Sequence, residues 1–222
     1  MSAATVLKML VCLDVLFVLM HAIGFLLRGE PFTFFNLDGE GNLPAWWSNA
    51  KFVMAGTLFG VLAVAKKSRA LTPLVLCALL LALAADEIAS IHERVGHLLA
   101  DNVAGDVQFR RKDAFLWPLL FGLPVLIVGG FVLRTLAKER FLSALVWKRL
   151  TIALVTFFAG AVGVEVIAFN PFLPVAQGSM LYQGLATLEE GLEHAGSSLL
   201  VWAALTAFME RLMPDSEISK PA

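Results

Sequence analysis

The chain has 222 residues, of which 59% are hydrophobic and 16% charged, with a formal net charge of −1. A water-soluble domain runs near 25% charged, so the composition excludes an ordinary soluble fold. The near-neutral balance, with no basic face, excludes a nucleic-acid surface. What remains is an all-α, polytopic transmembrane helical bundle, a single domain over 1–222, with the lipid bilayer as its first partner.

A spanning helix needs about 20 mostly apolar residues. Six segments meet that requirement: about 5–27, 45–65, 71–99, 114–137, 149–170 and 181–210. The first has no small-residue cleavage pattern before Arg28, so it is expected to stay as a helix. The connection after it, 31–48, mixes aromatics with turn formers. Trp46 and Trp47 suit an interfacial anchor, and the same loop suits a lid over an outward-facing site. The second and fourth segments read as scaffold, with Gly56 and Gly60 set for close packing and Pro118, Pro124, Gly129 and Gly130 pointing to a kink. Cys12 and Cys77 lie inside apolar runs and read as reduced packing residues. Lys66, Lys67 and Arg69 follow the second segment, and Arg134, Lys138, Arg140, Lys148 and Arg149 surround the turn after the fourth. Positively charged turns stay inside, which places both termini in the cytoplasm.

The polar residues concentrate on the other four segments. Asp14 and His21, seven apart, share a face of the first, within about 20°. Asp86, Ser90, Glu93 and His97 form a stripe about 60° wide on the third, taken as one continuous helix, and Glu87 with Arg94 forms a neighbouring pair suited to a structural ion pair. Glu165 lies on the fifth. On the sixth, Glu189 and Glu193 lie along one line and Glu190 and His194 along the next. At about 1.5 Å per residue across a core of about 30 Å, His21, Asp86, Glu165 and Glu189 all fall roughly 6–13 Å below the outer edge of the hydrocarbon.

A charge at membrane depth costs roughly 2.5–3.5 kcal/mol on insertion scales, and carboxylates crowded together raise the cost further. A divalent metal ion, iron, manganese or zinc, neutralises such a cluster most economically. Carboxylate and imidazole groups from facing helices build metal sites in bundle cores. The candidate ligands are Asp86, Glu93, His97, Glu189, Glu193, His21, Glu165, Glu190 and His194, although the Glu-x-x-His spacing common in such sites is absent. Protons or a cationic side chain are the alternatives. Haem would leave the carboxylates unexplained.

Three passages, 36–48, Ala85-Asp86-Glu87-Ile88-Ala89-Ser90-Ile91-His92-Glu93, and Leu188-Glu189-Glu190-Gly191-Leu192-Glu193-His194, resemble those of a group of uncharacterised bacterial multi-pass membrane proteins. The resemblance implies a bacterial inner (plasma) membrane setting and draws His92 into consideration. Three functional classes are open: a metal-dependent membrane enzyme acting on a lipid or quinone-like substrate, a cation- or proton-coupled transporter, and a non-catalytic subunit of a homodimer or larger membrane complex.

Overall fold

The computed structural model describes residues 1–39, 41–65, 70–91, 94–95, 122–168, 175 and 178–212. These residues are mostly helical, with no strand among them. Among the described residues six helices carry the fold: α1 Ala3–Arg28, α2 Leu43–Ala65, α3 Thr72–Ala89, α4 Leu123–Ala137, α5 Ala144–Ala168 and α6 Met180–Leu212. A 3-10 turn, Thr33–Phe35, lies in the first connection.

Local chemistry sets the helix ends. Ser2 caps α1 by accepting a hydrogen bond from Thr5 N, and Gly29 closes it in the left-handed conformation. Ser143 caps α5 through Val146 N. The start of α3 is capped from a distance. Glu139, in the turn after α4, accepts from Leu71 N at 3.1 Å, from Thr72 N at 2.8 Å and from Thr72 Oγ1 at 2.6 Å. A carboxylate at a helix N-terminus satisfies orphan donors and complements the helix dipole. It also joins two cation-bordered turns.

Among the described residues, four helices are long and apolar enough to cross a membrane: α1, α2, α3 and α5. The shorter α4 has 15 residues, and α6 has 33 but falls below the same measure because of its polar content. The described structure thus supports a helical membrane protein with several crossing helices.

The central helix is α6, which packs against α1, α2 and α5, while α2 also holds α3. Small residues make this possible. Gly196, Ser197, Ser198, Ala203, Ala204 and Ala207 are buried along α6, and small side chains let helix backbones approach where lipid supplies no hydrophobic drive. A Cβ on Gly196 would stand 2.6 Å from Phe157 N. Phe52 of α2 meets Phe157 of α5 edge to face, 5.1 Å between centroids, at the middle of the core. By contrast α4 buries Leu136 alone among its residues.

Two departures from regular helix lie outside the sequence pattern. The apolar period predicts a third helix running to 99, but Ser90 adopts φ 46°, ψ 46° and ends α3 at Ala89, so the continuous helix assumed for the stripe from Asp86 stops there. In α5, the stretch Ala159–Val164 is a π-helical segment immediately before Glu165. Such segments often mark functional positions.

Candidate functional site: an acid-ended cavity beside a buried ion network

A cavity of about 1340 Å³ lies among α3, α4, α5 and α6. Its two ends differ in chemistry. At the end beneath the first connection it is lined by Asp86 and Glu87 of α3, Glu165 of α5, and Glu189, Glu190 and Glu193 of α6. Glu193 lies within electrostatic reach of Glu190, Glu87, Glu189 and Glu165. Away from this end the lining is apolar, with Leu76, Leu80 and Leu83 of α3 opposite Leu126 and Leu133 of α4 and Leu150 and Leu154 of α5.

The irregular backbone lies at the acid end. Within the π-helical segment, Gly160 is so close to α6 that an added Cβ would lie 2.6 Å from Glu189 O and 3.0 Å from Glu193 Cγ. The extra residue per turn of a π segment rotates the helix beyond it, and Glu165 is the first residue past the segment and stands on the cavity wall. The α3 end is also irregular, because Ser90 holds a conformation uncommon for a non-glycine residue.

The first connection roofs the cavity. Leu37 is 3% exposed, and Leu37, Asp38 and Gly39 all line the cavity. Three ties hold this roof. Leu37 N donates to His21 Nδ1 at 3.0 Å, Tyr182 Oη donates to Asp38 Oδ2 at 3.0 Å, and Phe32 lies so close over Gly24 that no side chain fits there. Because His21 Nδ1 accepts, its proton is on Nε2, a buried atom that makes no hydrogen bond among the described residues. The loop is therefore a roof over the site. Trp46, 66% exposed, fits the anchor role, whereas Trp47 turns inward.

The inward turn of Trp47 leads to a feature that sequence reasoning missed. Lys51, near the third turn of α2, is fully buried. Its ammonium lies 2.8 Å from Asp14 Oδ1, 2.8 Å from His194 O, 3.2 Å from His194 Nδ1 and 3.3 Å from Ser198 Oγ. Asp14 in turn accepts from Trp47 Nε1 at 2.9 Å and from Ser198 Oγ. This network ties α1, α2 and α6 together on the side of α6 away from the cavity. It corrects the reading of α2 as plain scaffold, since Ser48 and Asn49 are buried there as well. The signal was present: a lone lysine inside a predicted span, with an aspartate at membrane depth on the preceding one.

The predicted site residues therefore divide. Asp86, Glu165, Glu189, Glu190 and Glu193 come together on one cavity. His21 is drawn to the roof and His194 to Lys51 and Asp14. Adjacent residues on a helix point about 100° apart, which is how Glu193 faces the cavity and His194 faces α2. Glu93, His97 and His92 lie outside the described residues. Among the described residues, no three histidine, cysteine, aspartate or glutamate side chains stand close enough together to hold a metal ion unaided.

Fold and site together define a helical membrane protein with an acid-ended cavity. The chain belongs to the family described as a domain of unknown function, DUF8692, whose model matches residues 5–208. No curated protein and no solved structure matches it.

Proposed function

We propose that the protein is a six-span bacterial inner-membrane protein, both termini cytoplasmic, that binds a divalent metal ion at the acid end of the cavity and uses it on a substrate drawn from the bilayer. The observation that carries this reading is the meeting of carboxylates from α3, α5 and α6 at one end of a large cavity whose remainder is apolar. Carboxyl groups from three helices offer oxygen donors of the kind that bind hard divalent cations. Asp86, Glu165, Glu189 and Glu193 are the proposed metal-binding groups, with Glu93 and His97 as candidates to complete the set. When bound, the ion would polarise a substrate oxygen or activate water.

The described donors favour a particular type of ion. With His21 and His194 engaged elsewhere, the cavity wall offers oxygen ligands, which suit hard cations such as manganese or magnesium. Magnesium-like ions are commonly held by one or two carboxylates, with waters and substrate phosphates filling the other positions. Such a site needs no convergence of three protein side chains.

The Asp14–Lys51–His194 network supports a second reading, a cation- or proton-coupled transporter in which the two sides of α6 communicate. The exposed flank of α4 would suit a second copy or a partner in a larger complex. Elemental analysis of the detergent-purified protein, beside Asp86→Asn and Glu189→Gln, tests the leading reading. A near-stoichiometric divalent metal lost from both variants supports it. A parent free of metal after dialysis against manganese or magnesium overturns it, and cation flux into liposomes would then decide for transport.

A further inference from the structure

The cavity also carries information about what enters it. Its volume of about 1340 Å³ exceeds the roughly 300–1,000 Å³ typical of sites for drug-sized ligands. Its depth is set by its lining. From Asp86 to Leu76 along α3 is about 15 Å at 1.5 Å per residue, half of the roughly 30 Å hydrocarbon core and so the depth of one leaflet. Polar groups occupy one end and leucine side chains the other, as in the leaflet itself.

The route in is set by the elements that close the cavity. At the acid end Leu37–Gly39 form the roof, held by His21 and Tyr182. At the side, Leu126, Gly129, Gly130 and Leu133 of α4 line the cavity, but α4 buries Leu136 alone. Its opposite face presents Ile127 at 64%, Val128 at 62% and Phe131 at 71% exposure. Among the described residues, the Glu139–Thr72 and Leu136–Thr72 hydrogen bonds tie the C-terminal end of α4 to α3, and about that end α4 can lean away and admit a ligand from the hydrocarbon.

We propose that this cavity is the binding site of an outer-leaflet phospholipid, which enters sideways past α4, places its acyl chains against the leucines of α3, α4 and α5, and presents its phosphate at the carboxylate end. The placement of the phosphate rests on the proposed metal site, because a phosphate approaches clustered carboxylates only through a bridging cation. The placement of the chains rests on the cavity alone.

The test uses the full-length protein in liposomes containing a phosphatidylglycerol with a photoactivatable diazirine midway along one acyl chain. Labelled residues are located by mass spectrometry and metal content is measured in the same samples. Cross-links are expected at cavity-facing positions such as Leu83, Leu126 and Leu154. They should fall about tenfold in Leu126→Trp, which fills the cavity, and persist in Val128→Trp, which faces lipid. Both variants should keep their metal, whereas Asp86→Asn should lose metal and retain chain labelling. Labelling confined to Val128, Phe131 and other outward positions, or unaffected by Leu126→Trp, overturns the lipid site while leaving the metal reading intact. Recovery of an isoprenoid quinone in place of phospholipid from the purified protein also overturns it. Absence of metal with cavity labelling retained overturns the phosphate placement and the metal reading together.

Discussion

At the scale of single residues, the buried ion pair is the feature whose removal should matter most. Lys51→Met would leave Asp14 buried with Trp47, Ser198 and His194 beside it but without the ammonium's fixed charge. Breaking one partner of such a pair costs about 3–5 kcal/mol, so a large fall in thermal stability in detergent is expected. Lys51→Met with Asp14→Asn removes both charges and should recover most of that loss, giving a strong coupling in a double-mutant cycle. Additive losses would mean that the two side chains do not act as a pair. Glu139 makes a smaller, pH-dependent contribution. The hydroxyl of Thr72, its N–H and that of Leu71 hold the Glu139 carboxyl below the usual glutamate range. A depressed folded-state pKa stabilises above the unfolded value, near 4.5, and that contribution disappears as pH falls through the folded value. Glu139→Gln should therefore lower Tm at neutral pH and flatten the decline on acidification, read by thermal melts between pH 7 and 3. Both residues also mark a boundary of what sequence can tell. Asp14 stands out as a charge at depth, but its partner Lys51 lies close enough to the first connection to pass for part of it. Glu139 stands out only as a loop residue, because a cap supplied across 67 positions leaves no local pattern.

At the scale of elements, the positions of the long helices and the carboxylates of α6 were legible, because apolar length and helical period are sequence properties. The breaks were not. No periodicity announces that Ser90 turns left-handed, or that α5 widens over Ala159–Val164, since both depend on what the neighbouring helices allow. The glycines separate these cases. A Cβ at Gly196 meets the backbone of Phe157 at 2.6–2.7 Å, and one at Gly160 meets Glu189 O at 2.6 Å. Gly196→Ala should destabilise by about 1–3 kcal/mol, the usual cost of overpacking. Gly160→Ala should in addition weaken metal retention, because the shift falls on the segment carrying Glu189 and Glu193. At Gly129 and Gly130 an added Cβ meets nothing within 4 Å, so alanine there should be neutral or stabilising by up to about 1 kcal/mol, the helix preference for alanine over glycine. Equal effects at all four positions in melting and metal-binding assays would refute this account of α5–α6 packing.

At the scale of the whole molecule, the arrangement works as a partition around α6. One side holds an ion network that fixes α1 and α2 against it, and the other lines the cavity with carboxyl groups beneath a roof. A rigid side and a chargeable side on one helix suit a protein that must keep an acidic site dry and still admit a ligand. The roof makes this testable. If Tyr182 and His21 hold Leu37–Gly39 closed over the cavity, a thiol placed inside should be shielded from water-soluble reagents on the outer face, and weakening one tie should expose it. Ala186 is 5% exposed and lines the cavity. Ala186→Cys, in a chain with Cys12 and Cys77 replaced, should react slowly with a membrane-impermeant maleimide added outside sealed vesicles, and not at all with reagent confined to the cytoplasmic side. Adding Tyr182→Phe removes the hydrogen bond to Asp38 while keeping the ring, so outside labelling should accelerate several-fold, the change expected for about 1 kcal/mol of lost closure, with little effect on Tm. Labelling from the cytoplasmic side would reverse the assigned orientation. An unchanged outside rate in Tyr182→Phe would show that the Asp38 bond does not hold the roof, leaving His21 and the packing of Phe32 on Gly24 as the ties that do.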